Sequence, residues 1–266
     1  MFDYHTPDGF DQQNPSLTPW NVTTVTYPSK TTGTDRLFTL ILPPDYTENE
    51  TYPVLYLLHG IGGDHKEWLY GAPAEIIGNL AATGEAPKMI VVIPNVRAAA
   101  DDRVPKEVIT PENIAAFDNF INDLKNDLMP YIKEHYSVKA GRENTAVAGL
   151  SMGGRESLFI GFTLPETFGY IGAFSPAPGL LPCPALNYPG QFSEEEFRIK
   201  NGAPVPFSIM ICNGEQDDVV HKIAAYYEET LTRNGIEHLY YTMPGGHDFT
   251  VWKNGLYHFV KQIFRQ

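Results

Sequence analysis

Residues 145–162 read TAVAGLSMGGRESLFIGF. A short apolar run ends at Ser151, with Gly149 two residues before it and Gly153 two after. The pentapeptide G-x-S-x-G is not informative alone: with Gly and Ser each near ~7% of residues, roughly one chain in ten of this length holds one by chance. Its setting is informative. TAVAGL reads as a buried strand and the residues from about Met152 onward as a helix, so the serine sits at a strand-to-helix junction. That is the context of a nucleophile elbow, in which the turn is too tight for Cβ atoms at the flanking positions.

The rest of the chain repeats this alternation. VLYLLHG (54–60), MIVVIPN (89–95), YIGAFS (170–175), FSIMICNG (207–214) and HLYYTMPG (238–245) are short apolar runs closed by Gly, Pro, Asn or Ser, the signature of strands buried on both faces of a parallel sheet. Between them, Phe117, Phe120, Ile121, Leu124 and Leu128 recur at helical spacing and predict one helix through AFDNFINDLKNDLMPYI. HKIAAYYEETLTRNG predicts another, ending at a cap formed by Asn234 and Gly235. A C-terminal helix in DFTVWKNGLYHFVKQIF is weakened by Gly255. At the front, WNVTTVTYPS and RLFTLILPP alternate with period two and predict an antiparallel pair. Together these features predict an α/β-hydrolase fold: a mostly parallel central sheet with an antiparallel N-terminal edge, helices on both faces, and one catalytic domain over residues 1–266. Two proline-rich or irregular stretches, 97–113 and 176–206, are long for simple connections. The second is expected to be a lid or substrate-binding loop.

Composition narrows the partners. The 266 residues carry a net charge of -13, and no basic cluster is present, which argues against nucleic acid. No apolar stretch approaches the ~18 residues of a membrane span. MFDYHTPDGF shows neither a basic n-region nor an apolar core, so no signal peptide is visible. The expectation is a water-soluble chain, cytoplasmic unless this is a mature or recombinant form of an exported one. Cys183 and Cys212, the two cysteines, are expected to be free thiols. Oligomeric state is not encoded in any pattern here.

A serine hydroxyl needs a base, and the base an acid. In this sheet architecture they follow in the order Ser, Asp or Glu, His. The acid candidates are Asp217 and Asp218 in CNGEQDDVV. Asp217 is preferred because it closes G-x-x-D at the strand end, while Asp218 suits a helix cap. The base is His247 in PGGHDFTVW, directly after the last strand; the other histidines precede the serine or fall at helix and strand positions. The backbone N–H of Met152, after the nucleophile, and that of Ile61, in HGIGGDHKEW, are the expected oxyanion donors. His59 is read as a structural support of that loop.

The motifs YLLHGIGG…W (56–68), GLSMGG (149–154), G-x-x-D (214–217), GGHDFTVW (245–252) and SPAPG (175–179) together resemble the family-one carbohydrate esterases, within the esterase D group of α/β-hydrolases. They are most similar to the bacterial feruloyl esterases attached to xylanases. The resemblance runs from about Thr24 to Phe264. It implies a serine esterase acting through an acyl-enzyme on hydroxycinnamoyl esters of plant cell-wall polysaccharide, with Ser151, Asp217 and His247 as triad, Ile61 and Met152 as oxyanion hole, and no metal or organic cofactor. Acetyl xylan or other short-acyl ester hydrolysis is the alternative, and an inactive carbohydrate-binding domain the alternative of another class. Trp68 and Trp252, near the oxyanion loop and the histidine, and Leu180, Leu181 and Tyr188, in the 176–206 stretch, are expected to offer an apolar surface to the acyl ring or a sugar face.

Overall fold

The computed structural model describes residues 2–184 and 188–265. The part of the 176–206 stretch at 185–187 lies outside the described residues. Among them, strands β1 (Asn21–Ser29), β2 (Thr34–Leu42), β3 (Val54–Leu58), β4 (Ile90–Pro94), β5 (Thr145–Leu150), β6 (Tyr170–Phe174), β7 (Ser208–Gly214) and β8 (Leu239–Met243) form one sheet in the order β1-β2-β4-β3-β5-β6-β7-β8. β1 pairs with β2, and β2 with β4, antiparallel; every pairing from β4 through β8 is parallel. The antiparallel edge and parallel body match the expectation from the sequence.

Strand pleating divides the core. Leu55 and Leu57 of β3 face a layer made by α1 (Pro73–Ala82) and α7 (Phe249–Val260). Val54, Tyr56 and Leu58, one residue out of phase, face α2 (Pro111–Asp118), α3 (Phe120–Asp123), α4 (Met129–His135) and α5 (Met152–Thr163). Further along the same face, Ile209 and Ile211 of β7 pack with residues of α5 and α6 (Ile223–Arg233).

Two details differ from the periodicity reading. The helix expected across Phe117–Leu128 is interrupted: a π-helical turn, Leu124–Leu128, separates α3 from α4. Pro130 has no N–H to offer the carbonyl of Asn126, inside that turn, and the regular ladder breaks there. Phe117, Phe120, Leu124 and Leu128 nevertheless reach the core. Conversely, α7 runs unbroken through Gly255. A Cβ there would lie 2.6 Å from the Phe174 ring and 2.8 Å from Cys212 Sγ: the glycine lets the helix touch the sheet rather than breaking it. Cys183 and Cys212 are both free. No helix among the described residues is long and apolar enough to cross a membrane.

Candidate active site

The carboxyl ends of β5, β7 and β8 converge on three side chains. β5 delivers Ser151, which has φ 51° and ψ -116° and directly precedes α5. A non-glycine residue in that conformation is strained, and strain of this kind collects at functional sites. The turn is held by Ser151 N–H donating to Phe174 O at 2.8 Å and by Ala177 N–H donating to Ser151 O at 2.9 Å. A Cβ at Gly149 would stand 2.4 Å from the carbonyl carbon of Gly153, and one at Gly153 only 2.3 Å from Leu58 O. Both glycines are therefore required by backbone crowding.

His247 lies in the loop between β8 and α7. Its Nε2 is 2.9 Å from Ser151 Oγ and its Nδ1 is 2.8 Å from Asp217 Oδ2. Asp217 follows β7 and is buried. Its second oxygen accepts the N–H groups of Val219 and Val220, both at 3.1 Å. Burial alone would raise this carboxyl, but the hydrogen bonds from His247 and from Val220 N–H outweigh it and hold it below the usual aspartate range. Asp217 thus presents a fixed negative charge to Nδ1. Asp218 is exposed, and the expectation that it caps the next helix fails: α6 starts at Ile223, Lys222 at its N-cap makes no side-chain bond, and the turn before it is tied by Asp217.

Among the described residues, no protein acceptor engages the N–H of Ile61 or of Met152. Gly60 N–H, by contrast, is taken by Glu67 Oε2 at 2.7 Å. Met152 opens α5, so its N–H carries the positive end of the helix dipole. The Ile61 turn is fixed from behind. Arg97 Nη2 donates to Ile61 O at 2.7 Å, and Arg97 Nε to Asn113 Oδ1 at 2.6 Å. His59 is wholly buried, accepts Val96 N–H at Nε2 (2.8 Å), and lies 2.7 Å from Gly60 O through Nδ1. With Nε2 an acceptor, Nδ1 carries the proton and donates it. Burial pushes its pKa down to about 4, so it is a neutral strut. Arg97 and Glu67 escaped the sequence reading: neither sits at a periodic position, and a buried arginine in an irregular stretch leaves no local signal.

Of the residues expected to line the substrate, several are placed elsewhere. Trp68 is wholly buried; its indole N–H donates to Leu58 O at 2.8 Å, and its ring packs against Phe174 and Phe249. Leu180 and Leu181 are buried beside Phe197 and Tyr227 in the core under α6. These three form no surface for a ring, because the loops carrying them fold back onto the sheet's helices. Trp252 is 8% exposed and meets the His247 ring edge-on at 5.1 Å, a wall of the histidine's pocket. Tyr188 is half-buried and its hydroxyl donates to Asp118 Oδ2 at 2.7 Å.

From residue 29 to residue 263 the sequence matches the family described as "Putative esterase". The chain belongs to this esterase family. It is 28% identical over 260 residues to an endo-1,4-beta-xylanase/feruloyl esterase of Xylanibacter ruminicola, a match covering 92% of this chain and 31% of that protein. It is 26% identical over 201 residues to the iron(III) salmochelin esterase of Escherichia coli, covering 64% of this chain and 49% of the relative. The chain therefore spans half or less of the length of these curated relatives. Among solved structures, the CE1 ferulic acid esterase of the anaerobic fungus Anaeromyces mucronatus superposes with a TM-score of 0.91 at 38% identity, covering 99% of this chain and 98% of that one. The same enzyme in complex with ferulic acid gives a TM-score of 0.92. The resemblance to family-one carbohydrate esterases drawn from the motifs is borne out, and the fold is that of the α/β-hydrolase esterases.

Proposed function

We propose that the chain is a serine esterase that hydrolyses hydroxycinnamoyl esters, such as feruloyl esters, of plant cell-wall polysaccharide. The observation that carries the reading is the unbroken line from Ser151 Oγ through His247 to Asp217 at 2.9 and 2.8 Å, on a chain whose structural relatives include a ferulic acid esterase. His247 Nε2 takes the proton from Ser151 as Oγ attacks the ester carbonyl. Asp217 holds the Nδ1–H tautomer and stabilises the imidazolium. The N–H groups of Ile61 and Met152 receive the oxyanion. His247 then protonates the leaving alcohol, and water releases the acid from Ser151 in a second cycle. Residues 1–266 act as one catalytic unit in this reading, with 176–206 bordering the substrate. No step calls for a metal or organic cofactor, and the partner is a small or polysaccharide-linked ester.

The test is kcat/KM for methyl ferulate against acetylated xylan and a short-chain aryl acetate of matched reactivity. Hydroxycinnamate preference is expected. A tenfold or greater preference for the acetyl substrates would replace this reading with that of an acetyl esterase.

A further inference from the structure

Nine large apolar side chains are exposed among the described residues; Val22, Leu37, Val205 and Phe207 lie on or just before strands β1, β2 and β7, and the other five share one end of the sheet. Leu69, Tyr70, Val104, Ile109 and Val219, exposed by 41, 79, 44, 79 and 62%, all belong to loops leaving the carboxyl ends of β3, β4 and β7, the end of the sheet that carries Ser151. Single exposed apolar groups need no explanation, but a collection around one site does. Tyr70 is the aromatic member. It sits on a short 3-10 helix, Glu67–Gly71, that is fixed to the site at both ends. Glu67 accepts Gly60 N–H in the oxyanion turn. At the other end, a Cβ on Gly71 would come within 2.8 Å of the Phe249 ring, so the helix is seated directly on α7. Rings then run outward without a gap: His247 to Trp252 at 5.1 Å, Trp252 to Phe249 at 5.0 Å, Phe249 to Tyr70 at 6.5 Å. Tyr70 is thus an exposed aromatic at the outer end of a ladder that begins at the proposed base.

We infer that Tyr70 is a specificity-determining residue that stacks on a sugar ring of the substrate's polysaccharide portion. The inference rests on the proposed hydroxycinnamoyl esterase reading and names the part of the substrate that reading leaves open. Two rings stand between Tyr70 and His247 along this ladder, which suits contact with a part of the substrate beyond the scissile ester. A pyranose or furanose presents an apolar C–H face together with hydroxyls that stay in water, which suits an aromatic plane open to solvent on one side. A methyl ester has nothing to place there.

The experiment compares kcat/KM for a feruloylated xylo-oligosaccharide and for methyl ferulate in wild type, Tyr70→Ala and Tyr70→Phe, with melting temperatures for all three. Tyr70→Ala is expected to lower the ratio of the two values about three- to tenfold, through KM of the oligosaccharide ester. Tyr70→Phe, which keeps the plane, should retain the wild-type ratio. An unchanged ratio in Tyr70→Ala, or a wild type without preference for the oligosaccharide ester, overturns the inference while leaving the esterase reading standing. Wild-type inactivity on both esters overturns the hydroxycinnamoyl reading itself.

Discussion

Two buried polar assemblies sit a single helical turn apart. One is the chain of Ser151, His247 and Asp217 before the first turn of α5. The other gathers on Arg155 and Glu156, within that helix, both essentially inaccessible to solvent. Arg155 Nη2 donates to Asp118 Oδ1 from α2, and its Nε donates to Glu156 Oε1 at 3.0 Å. Tyr188 and Gln191, from the 176–206 stretch, donate to the same Asp118 at 2.7 and 3.0 Å. The carboxylates contrast. Asp217 is surrounded by donors and held low. Glu156 is pushed up to about 7: burial is the main cause, Arg155 pulls the other way, and the nearby Asp118 charge adds to the rise. Among the described residues, its Oε2 finds no hydrogen-bond partner. The first assembly holds a fixed negative charge beside the His247 imidazole. The second joins α2, α5 and the 176–206 stretch around one cation, which acts as a clamp between segments.

If the first assembly is the reaction centre, its members should fail as a unit. Ser151→Ala is expected to lower kcat by about 10⁶ with an unchanged melting temperature, since removing a nucleophile of this kind costs that much in a comparable enzyme. Retention of more than a hundredth of wild-type kcat would place the nucleophile elsewhere. Asp217→Asn should cost ~10⁴, because an amide at that position favours the wrong imidazole tautomer. Asp218→Asn, on an exposed side chain with no bond to His247, should stay within about twofold of wild type. Equal losses would overturn the assignment of the acid.

The second assembly should break differently, in stability before rate. Arg155→Met leaves Glu156 and Asp118 facing each other without their cation, and breaking a buried pair from one side costs about 3–5 kcal/mol. Urea unfolding should show this loss. A cost below ~1 kcal/mol would mean that the cluster is not a clamp.

The two assemblies also differ in how far the sequence disclosed them. Ser151, Asp217 and His247 each stand just past a strand end beside glycine or turn residues, so local pattern and chain order located all three. The antiparallel edge and the mostly parallel body were legible as well, from period-two alternation at the front and near-continuous apolar runs behind it; the order of the strands was not. Arg155, Asp118, Tyr188 and Gln191 are brought together only by tertiary folding, which no local pattern marks. Trp68, Leu180 and Leu181 show the complementary failure: sequence places a residue near a loop but does not give the direction of its side chain, and all three turn inward.

A last difference separates the two carboxylates by sign. Burial pushes the Glu156 carboxyl up to about 7, above its ordinary value of 4.5. Between those values the native chain holds a proton that the unfolded chain has released, so this group lowers stability as pH rises from about 4.5 to 7 and adds no further dependence above. Asp217 has the opposite sign: its depressed carboxyl contributes stability present above the ordinary aspartate value and lost as pH falls through the depressed one. Glu156→Gln removes the first titration and keeps the side chain's shape, while Arg155 retains Asp118. The variant should match wild type near pH 4.5 and have the higher melting temperature at pH 8. Subtracting the two stability–pH curves isolates Glu156 from every other group. A difference curve flat between pH 4.5 and 8 would show that Glu156 is ionised throughout, and that Arg155 serves both carboxylates as fully as the donors around Asp217 serve theirs.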